Sequence, residues 1–149
     1  MPRRFHPAGV GLLLGLAALG CGGAEGRPSL HPVSGTVTVR GRPASGVLVL
    51  LHPADGSPAA AARLTPSATT AGDGTFRLSS KDQHDGAPAG EYTVTLRWFR
   101  DDPRPGGGPP GLGGPPPDQF KGKYGDPTRS PWRVTVSPGD NALEPFAVD

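Results

Sequence analysis

The feature that most constrains the fold of this chain is the spacing of its apolar residues, which recur at every second position. The clearest case is Glu91–Trp98, where apolar and polar side chains alternate. A period of two is that of a β-strand with one buried face, whereas an amphipathic helix has a period of about 3.6. The residues expected to face inward are Tyr92, Val94, Leu96 and Trp98, and those expected to face outward are Thr93, Thr95 and Arg97.

Several other segments also have strand patterns, and none after residue 20 has the pattern of an amphipathic helix. Gly46–His52 is a continuous apolar run, which is typical of a central strand. Asp73-Gly74 predicts a tight hairpin turn, since these residues tolerate positive φ. Pro145 cannot donate to a neighbouring strand, so the last strand should lie at an edge or be interrupted there. Such short strands favour an all-β fold, a two-sheet sandwich. The seven predicted strands lie near residues 33–40, 46–52, 66–71, 75–80, 90–98, 132–137 and 142–148.

The first twenty residues have the pattern of a targeting signal. Arg3 and Arg4 precede Ala8–Gly20, an uncharged apolar run that ends at Cys21. The run is too short for a membrane span, which needs about twenty helical residues. A basic start, a short apolar stretch and a small residue before the cut describe a secretory signal. The alternative is a buried N-terminal helix, which the glycines of the run disfavour because each costs about 1 kcal/mol relative to alanine. We predict a cleaved signal peptide at residues 1–20.

The residues at the end of this run resemble a bacterial lipobox, Leu19-Gly20-Cys21. The resemblance implies that the Cys21 sulfur receives a diacylglyceryl group and that, after cleavage, its new amine receives an acyl chain such as palmitate. Cys21 is therefore the predicted lipid attachment site. Several acyl chains make a stable membrane anchor. Gly22 follows in place of aspartate, which favours the outer membrane. The expected location is the cell envelope, facing the periplasm or the exterior.

Removing the predicted signal changes the charge of the chain. The full sequence has 15 Lys and Arg against 13 Asp and Glu. Loss of Arg3 and Arg4 leaves the two sets equal, which argues against nucleic acid as a partner. Cys21 is the only cysteine, so the domain should contain no disulfide and no cysteine metal site.

The rest of the chain divides by composition into a tether, a domain and an insertion. Residues 21–32 are rich in Gly and polar residues and predict a flexible tether, and residues 33–149 predict one β-sandwich domain. Within it, residues 101–118 contain thirteen Pro or Gly in eighteen residues. This composition predicts a disordered or polyproline-like insertion. The alternative is a proline-rich ligand for an aromatic groove.

Three segments together resemble the carboxypeptidase regulatory-like domains of the transthyretin-like, or prealbumin-like, superfamily, in particular those of small planctomycete lipoproteins. They are "SGTVTVRGRPASGVLVLL", "TTAGDGTFRL" and "PAGEYTVTLR". The resemblance implies a seven-stranded Greek-key sandwich, and an accessory, structural or binding role without catalysis. The matching positions are Gly35, Val37, Gly41, Pro43, Gly46, Val47, Val49, Thr70, Asp73, Gly74, Phe76, Pro88, Gly90, Tyr92 and Val94.

The candidate catalytic and metal-binding residues are few. His84 and Asp85 lie near Ser79 and Ser80, but neighbours on a loop do not make a triad, whose groups must converge in space. The histidines His31, His52 and His84 lack the short spacing of a zinc site. Superfamily hydrolases end in Tyr-Arg-Gly-Ser, whereas this chain ends in "PFAVD", and an isopeptide crosslink would need a lysine in the first strand, which has Arg40 instead. We expect no enzyme activity, no cofactor and no metal.

Binding is the remaining class of function, and aromatic residues are its candidates. Five aromatic side chains flank or follow the insertion, and they either belong to the core or stack on sugar rings. Phe99 and Tyr124 are the predicted binding residues. The expected protein is a lipid-anchored, non-catalytic envelope component with a structural or protein-binding role. The alternative is a carbohydrate-binding accessory module at the cell surface. The five aromatic residues are Trp98, Phe99, Phe120, Tyr124 and Trp132.

Overall fold

Strands account for almost all regular structure in residues 27–99 and 117–149, the parts of the chain that the computed structural model describes. The fold is all-β, as predicted. The predicted signal, Cys21 and residues 100–116 lie outside the described residues. The elements are β1 (Leu30–His31), β2 (Val33–Val39), β3 (Arg42–Pro43), β4 (Val47–Pro53), α1 (Pro58–Ala61), β5 (Ser67–Thr69), β6 (Thr75–Arg77), β7 (Ala87–Pro88), β8 (Gly90–Trp98), β9 (Trp132–Val136), β10 (Asn141–Ala142) and β11 (Phe146–Val148).

The two larger sheets are each organised around one long strand. In the four-stranded sheet the order is β5-β4-β8-β9, and all neighbours are antiparallel. In the five-stranded sheet β2 pairs with all the others: β10 and β11 run parallel to it, and β3 and β6 run antiparallel. The short strands β1 and β7 form a separate pair. The prediction that the apolar run at residues 46–52 forms a central strand is therefore confirmed by β4.

Buried side chains from the two larger sheets form one hydrophobic core. Val37 and Phe76 come from the sheet around β2, and Val49 and Leu96 come from the sheet around β4. Alternation along each strand explains this arrangement, because every second side chain points to the same face. Burial of each large apolar side chain contributes about 1.5–3 kcal/mol.

A glycine and an aromatic ring form a close contact inside the sheet around β2. Gly35 of β2 lies opposite Phe76 of β6 in the ladder. A β-carbon at Gly35 would lie only 2.5 Å from Cζ of the Phe76 ring. The ring thus covers the space that a side chain at position 35 would fill. The contact requires a glycine in β2 and leaves room for a large ring in β6, although the two strands are distant in the sequence.

Thr70 makes hydrogen bonds to residues 44–47, where the chain passes from β3 in one sheet to β4 in the other. Its hydroxyl is buried, donates to the Ala44 carbonyl at 2.6 Å and accepts from the Val47 amide at 2.9 Å. Its own amide donates to the Val47 carbonyl, and its carbonyl accepts from the Gly46 amide. Thr70 therefore satisfies backbone groups that no strand partner reaches.

Tyr92 makes a second structural contact of this kind. Its hydroxyl donates to the Pro88 carbonyl at 2.7 Å, and its side chain is 2% exposed. A tyrosine near the start of a strand that bonds to the backbone a few residues upstream is the tyrosine corner of Greek-key β proteins. Burial raises the pKa of Tyr92 to about 12.

The predicted hairpin at Asp73-Gly74 is confirmed in its turn but only partly in its pairing. A turn is present: Gly74 has a φ of 77°, and the Ala71 amide donates to the Thr75 carbonyl. However, β5 pairs with β4 and β6 pairs with β2, so the turn connects two sheets. The two flanking segments still meet at the antiparallel bridge between Ser67 and Ser79. The carboxylate of Asp73 stabilises the turn by accepting from the Thr75 amide and hydroxyl.

The alternation along β8 also failed at one position. Thr95 was expected to face outward, but it is fully buried and its hydroxyl lies 2.8 Å from Nε2 of His52. The cross-strand histidine supplies the polar partner that a buried hydroxyl requires. Farther along the chain, the expected interruption at Pro145 is confirmed, since β10 ends at Ala142 and β11 begins at Phe146.

The single helical turn α1 was not predicted. Ser57 caps it by accepting a hydrogen bond from the Ala60 amide, and Pro58 occupies the first turn. Serine at the N-cap and proline at the first helical position are favourable. Four residues are too few to show a helical period, so the pattern could not reveal this turn.

Strand pairing extends into the ends of both segments that were predicted to be flexible. At the end of the tether predicted for residues 21–32, Leu30–His31 pairs with Ala87–Pro88. At the end of the insertion predicted for residues 101–118, Asp118 forms an isolated bridge with Phe99. Composition alone could not show these pairings, because the partners are distant in sequence.

Candidate functional site

Six aromatic side chains form a continuous row from the core to the surface, here called the aromatic row. Phe76 and Phe146 are buried, and the other members are half-buried. Successive ring centroids lie 5.0–6.0 Å apart, which is the normal range for aromatic pairs. The row therefore extends the core toward solvent. In order, its members are Phe76, Phe146, Trp132, Tyr124, Phe120 and Trp98.

The half-buried end of the row lines an open groove of about 420 Å³, here called the aromatic groove. One wall comes from the turn between β2 and β3, another from residues 119–124, and the remainder from the ends of β8 and β11. The groove thus collects residues from four separate parts of the chain. They are Val39, Arg40, Trp98, Gln119, Phe120, Lys121, Lys123, Tyr124, Val148 and Asp149.

Asp118 positions the wall that carries Phe120. One carboxylate oxygen accepts from the backbone amides of Trp98 at 2.9 Å and Phe120 at 3.0 Å, and the other accepts from Gly122 at 3.0 Å. The Gln119 amide also donates to the Trp98 carbonyl at 2.7 Å. Hydrogen bonds to an ionised carboxylate are stronger than neutral ones, so this turn is held firmly against β8.

Backbone contacts farther along β8 hold the rest of this wall. The register of β8 with β9 begins at the pair Val94 and Trp132. Beyond it, the Leu96 amide donates to the Tyr124 carbonyl at 2.9 Å, and the Ser130 hydroxyl donates to the Val94 carbonyl. The segment before β9 therefore continues along the edge of β8 and carries Tyr124 into the groove.

The indole of Trp98 is also held in place. Its Nε1 donates to the Ser45 carbonyl at 2.9 Å, and its ring lies 5.6 Å from that of Phe120. A fixed aromatic face loses little conformational entropy when a ligand stacks on it. Trp98 is therefore suited to contact a ligand in the groove.

Cations lie beside these rings. Nζ of Lys123 is 4.9 Å from the centroid of the Tyr124 ring, which is within the range of a cation–π contact. A side-chain hydrogen bond with Tyr124 raises the pKa of Lys123, and the charge of Asp149 adds to this effect. Lys123 is therefore cationic at neutral pH.

Two further cations of the groove occupy unusual backbone positions, each in its own turn. Arg40 has a φ of 50° and is followed by Gly41 at 72°, while Lys121 has a φ of 53° and is followed by Gly122 at 76°. Two successive positive φ angles are those of a type I′ turn, whose first position favours Asn, Asp or Gly. In both turns this first position is occupied by a long cationic side chain, Arg40 in one and Lys121 in the other.

The structure separates the two predicted binding residues. Tyr124 lies in the aromatic groove, beside Trp98 and Phe120. Phe99 does not line it; Phe99 is half-buried, bridges with Asp118 and lines a neighbouring depression. The cations of this site were not predicted from the sequence. The dipeptides Arg40-Gly41 and Lys121-Gly122 were the signal that could have indicated two of them.

The residues around His84 form a structural loop. The His84 amide donates to the Ser79 hydroxyl, and the carboxylate of Asp85 accepts from the amides of Ser80, Lys81 and Asp82. Partial burial alone would raise the pKa of Asp85, but these backbone hydrogen bonds outweigh it and lower the pKa. The carboxylate is therefore directed at the backbone.

The side chains of the other two histidines make hydrogen bonds elsewhere. Nε2 of His52 bonds to Thr95, and burial, aided by the charge of Arg97, lowers the pKa of His52. Nδ1 of His31 accepts from the Gly139 amide at 3.1 Å. Among residues 27–99 and 117–149, no group of three His, Cys, Asp or Glu side chains could hold a metal ion. In the same part of the chain, no helix is long and apolar enough to span a membrane.

A scan against protein-family models and a search of curated proteins found no match to this chain. The fold and the groove define an all-β domain with an open groove lined by aromatic and cationic side chains.

Proposed function

We propose that this protein is a lipid-anchored, non-catalytic component of the cell envelope whose domain has a structural or protein-binding role. The observation that carries the binding role is the aromatic groove, where Trp98, Phe120 and Tyr124 remain half-exposed beside cations. Apolar surface rimmed by polar residues is characteristic of interaction sites. The Leu19-Gly20-Cys21 sequence supports the anchor.

The proposed domain type is the carboxypeptidase regulatory-like domain, with a seven-stranded Greek-key sandwich of the transthyretin-like superfamily. Two multi-stranded sheets that share one core support a sandwich. Residues that carry the resemblance also have structural tasks: Phe76 covers Gly35, and Tyr92 forms a tyrosine corner with Pro88. These contacts explain why the motifs contain these residue types.

The anchor is tested by changing the lipid attachment site. We expect Cys21→Ala to move the protein from the membrane fraction to the soluble fraction and to abolish metabolic labelling with a palmitate analogue. Ala18→Leu is the matched control, because it keeps Cys21 and should keep both properties. Membrane retention of the Cys21→Ala variant would overturn the anchor.

The protein-binding role is tested with the aromatic groove. The lipidated protein should retain a defined envelope protein from a detergent extract, and Tyr124→Ala should reduce its recovery at least about tenfold, since an anchor residue contributes more than about 1.4 kcal/mol. Glu144→Ala, at an exposed position that does not line the groove, should leave recovery unchanged. Equal recovery with all three proteins would place the interaction elsewhere.

A second candidate function is a carbohydrate-binding accessory module. The specific observation in its favour is that Trp98, Phe120 and Tyr124 lie side by side in one groove. Ring faces of this kind stack on the apolar faces of sugars. Screening the mature chain on a glycan array tests it, and binding to no polysaccharide would overturn it.

A further inference from the structure

The side-chain charges of the aromatic groove are unbalanced. Arg40, Lys121 and Lys123 line it together with a single carboxylate side chain, that of Asp149. The cations lie on both walls, because Arg40 belongs to the turn after β2 and the two lysines belong to residues 119–124. Clefts lined by one sign of charge attract ligands of the opposite sign. The ligand of this groove should therefore be anionic.

Two of these cations occupy turn positions whose backbone favours other residue types. Four non-glycine residues have positive φ in the described parts of the chain, and Arg40 and Lys121 are two of them. A β-carbon in this conformation crowds the following carbonyl oxygen, which is why short Asn or Asp or glycine is favoured there. Strained positions of this kind cluster at functional sites. Both turns place a cation in one groove, which suits an anionic ligand.

The shape and the rings of the groove indicate which anion. The groove is concave, whereas contact with a flat membrane surface would need a protruding patch. The chain without its predicted signal has equal numbers of acidic and basic residues, unlike the strongly basic face of nucleic-acid-binding domains. An acidic peptide would pair with the cations but would not require three neighbouring aromatic side chains, half-buried in the same groove. An acidic polysaccharide would use both the aromatic side chains and the cations, since its sugar rings stack and its carboxylates or sulfates bind Arg and Lys.

We propose that the aromatic groove binds an acidic polysaccharide. Sugar rings stack on Trp98 and Tyr124, and the acidic groups of neighbouring sugars pair with Arg40 on one wall and Lys121 on the other. This inference deepens the carbohydrate-binding candidate and rests on it.

The first test compares two polymers that differ only in charge. Polygalacturonate and its methyl-esterified form have the same backbone of sugar rings, but only the first carries carboxylates. Titration calorimetry of the mature chain should show at least about tenfold tighter binding of polygalacturonate, and the difference should shrink as salt is added. Dextran sulfate against dextran tests sulfate in the same way. Equal binding of the charged and neutral polymers would overturn the inference but leave the carbohydrate-binding candidate standing.

The second test separates binding from folding at the two strained turns. The double variant Arg40→Asn/Lys121→Asn should lose at least about tenfold in affinity for polygalacturonate, while its melting temperature stays the same or rises because asparagine suits these turns better. Arg42→Asn is the matched control, since Arg42 is exposed in β3 and does not line the groove. Arg40→Lys/Lys121→Arg should retain binding. Unchanged affinity in the double variant would overturn the proposal.

Two further outcomes distinguish this inference from the proposals above. If poly-glutamate binds as tightly as polygalacturonate and competes with it, the ligand is an acidic protein and the saccharide assignment is wrong. If no polysaccharide binds, this inference and the carbohydrate-binding candidate both fail, whereas the lipid anchor is decided separately by Cys21→Ala.

Discussion

The two ends of the aromatic row differ in how they are packed. At the buried end, Phe76 and Phe146 are each 3% exposed, and their rings are nearly parallel with an angle of 10°. At the other end, Trp98, Phe120 and Tyr124 are half-buried and meet at steep angles along an open groove. One row of similar residues thus combines a closed contact with an accessible surface.

The difference shows which aromatic residues folding needs. Phe76 fills the space over Gly35, so its size is dictated by its neighbours. The groove end has no such constraint, and its turn is held instead by the carboxylate of Asp118. Large side chains kept partly exposed beside cations are the feature on which the proposed binding role rests.

The largest expected effect is a contrast between two Phe→Ala substitutions. Phe76→Ala should lower the free energy of unfolding by about 3–5 kcal/mol, because it empties a closed site. Phe120→Ala should cost about 1–2 kcal/mol, since only part of its ring is removed from water. Urea unfolding measures both. Equal losses would mean that the groove end is packed as tightly as the core.

The next effect tests the contact that defines the buried end. Gly35→Ala should destabilise by about 1–3 kcal/mol, because its β-carbon would overlap the Phe76 ring. Gly72→Ala is the matched control, because nothing lies within 4 Å of a β-carbon there. In a Phe76→Leu background the cost of Gly35→Ala should shrink. An unchanged cost would show that the ring is not the obstacle.

The groove end is tested through Asp118. Asp118→Ala should destabilise by about 1–2 kcal/mol, since three backbone amides lose their acceptor. Asp118→Asn should cost less, because one amide oxygen still accepts. Asp55→Ala, at an exposed turn position, should have no effect. Denaturation followed by tryptophan fluorescence also reports on Trp98, and three indistinguishable variants would contradict the role of Asp118.

The stability contributed by buried Tyr92 should depend on pH in the alkaline range, whereas the stability of the groove end should not. Tyr92→Phe should cost about 0.5–1.5 kcal/mol at pH 7 by removing the bond to Pro88. Burial raises the pKa of Tyr92 from 10.0 to about 12, so the folded state holds this proton more tightly than the unfolded state. The stability contributed by neutral Tyr92 is therefore full below about pH 10 and is lost as pH rises through about 12. Alkaline unfolding curves of wild type and Tyr92→Phe should converge over this window, and parallel curves would disprove the shift.

The smallest effect concerns the Pro/Gly-rich segment at residues 101–116. Replacing residues 101–116 with a short Gly/Ser linker, while keeping Asp118, should change the free energy of unfolding by less than about 0.5 kcal/mol, because loop closure depends weakly on length. Thermal melting checks this. A large drop would show that the segment packs on the domain.

Much of the fold followed from local patterns in the sequence. Period-two alternation located β2 and β9, the apolar run located the central strand β4, and Pro145 marked the gap between β10 and β11. Local rules failed where a distant partner decided the outcome. Thr95 is buried and its hydroxyl bonds to His52 of the neighbouring strand, and the turn at Asp73-Gly74 connects two sheets because β5 and β6 pair with different strands.

The candidate site was less accessible to prediction. Tyr124 was selected as an exposed aromatic, and it lines the groove. Phe99 was selected on the same basis and does not, because it pairs with Asp118 instead. Arg40 and Lys121 are 81 positions apart in the sequence, so no spacing rule could place them in one groove.

The sequence by itself determined the class of the fold, because strand period, turn residues and proline act within a few residues of one another. It also contains the predicted lipid attachment site at Cys21, which is recognised from adjacent residues. Only the tertiary structure decided which strands pair, how Phe76 covers Gly35 and where the aromatic row becomes a groove. These depend on contacts between distant segments, which exist only after the chain has folded.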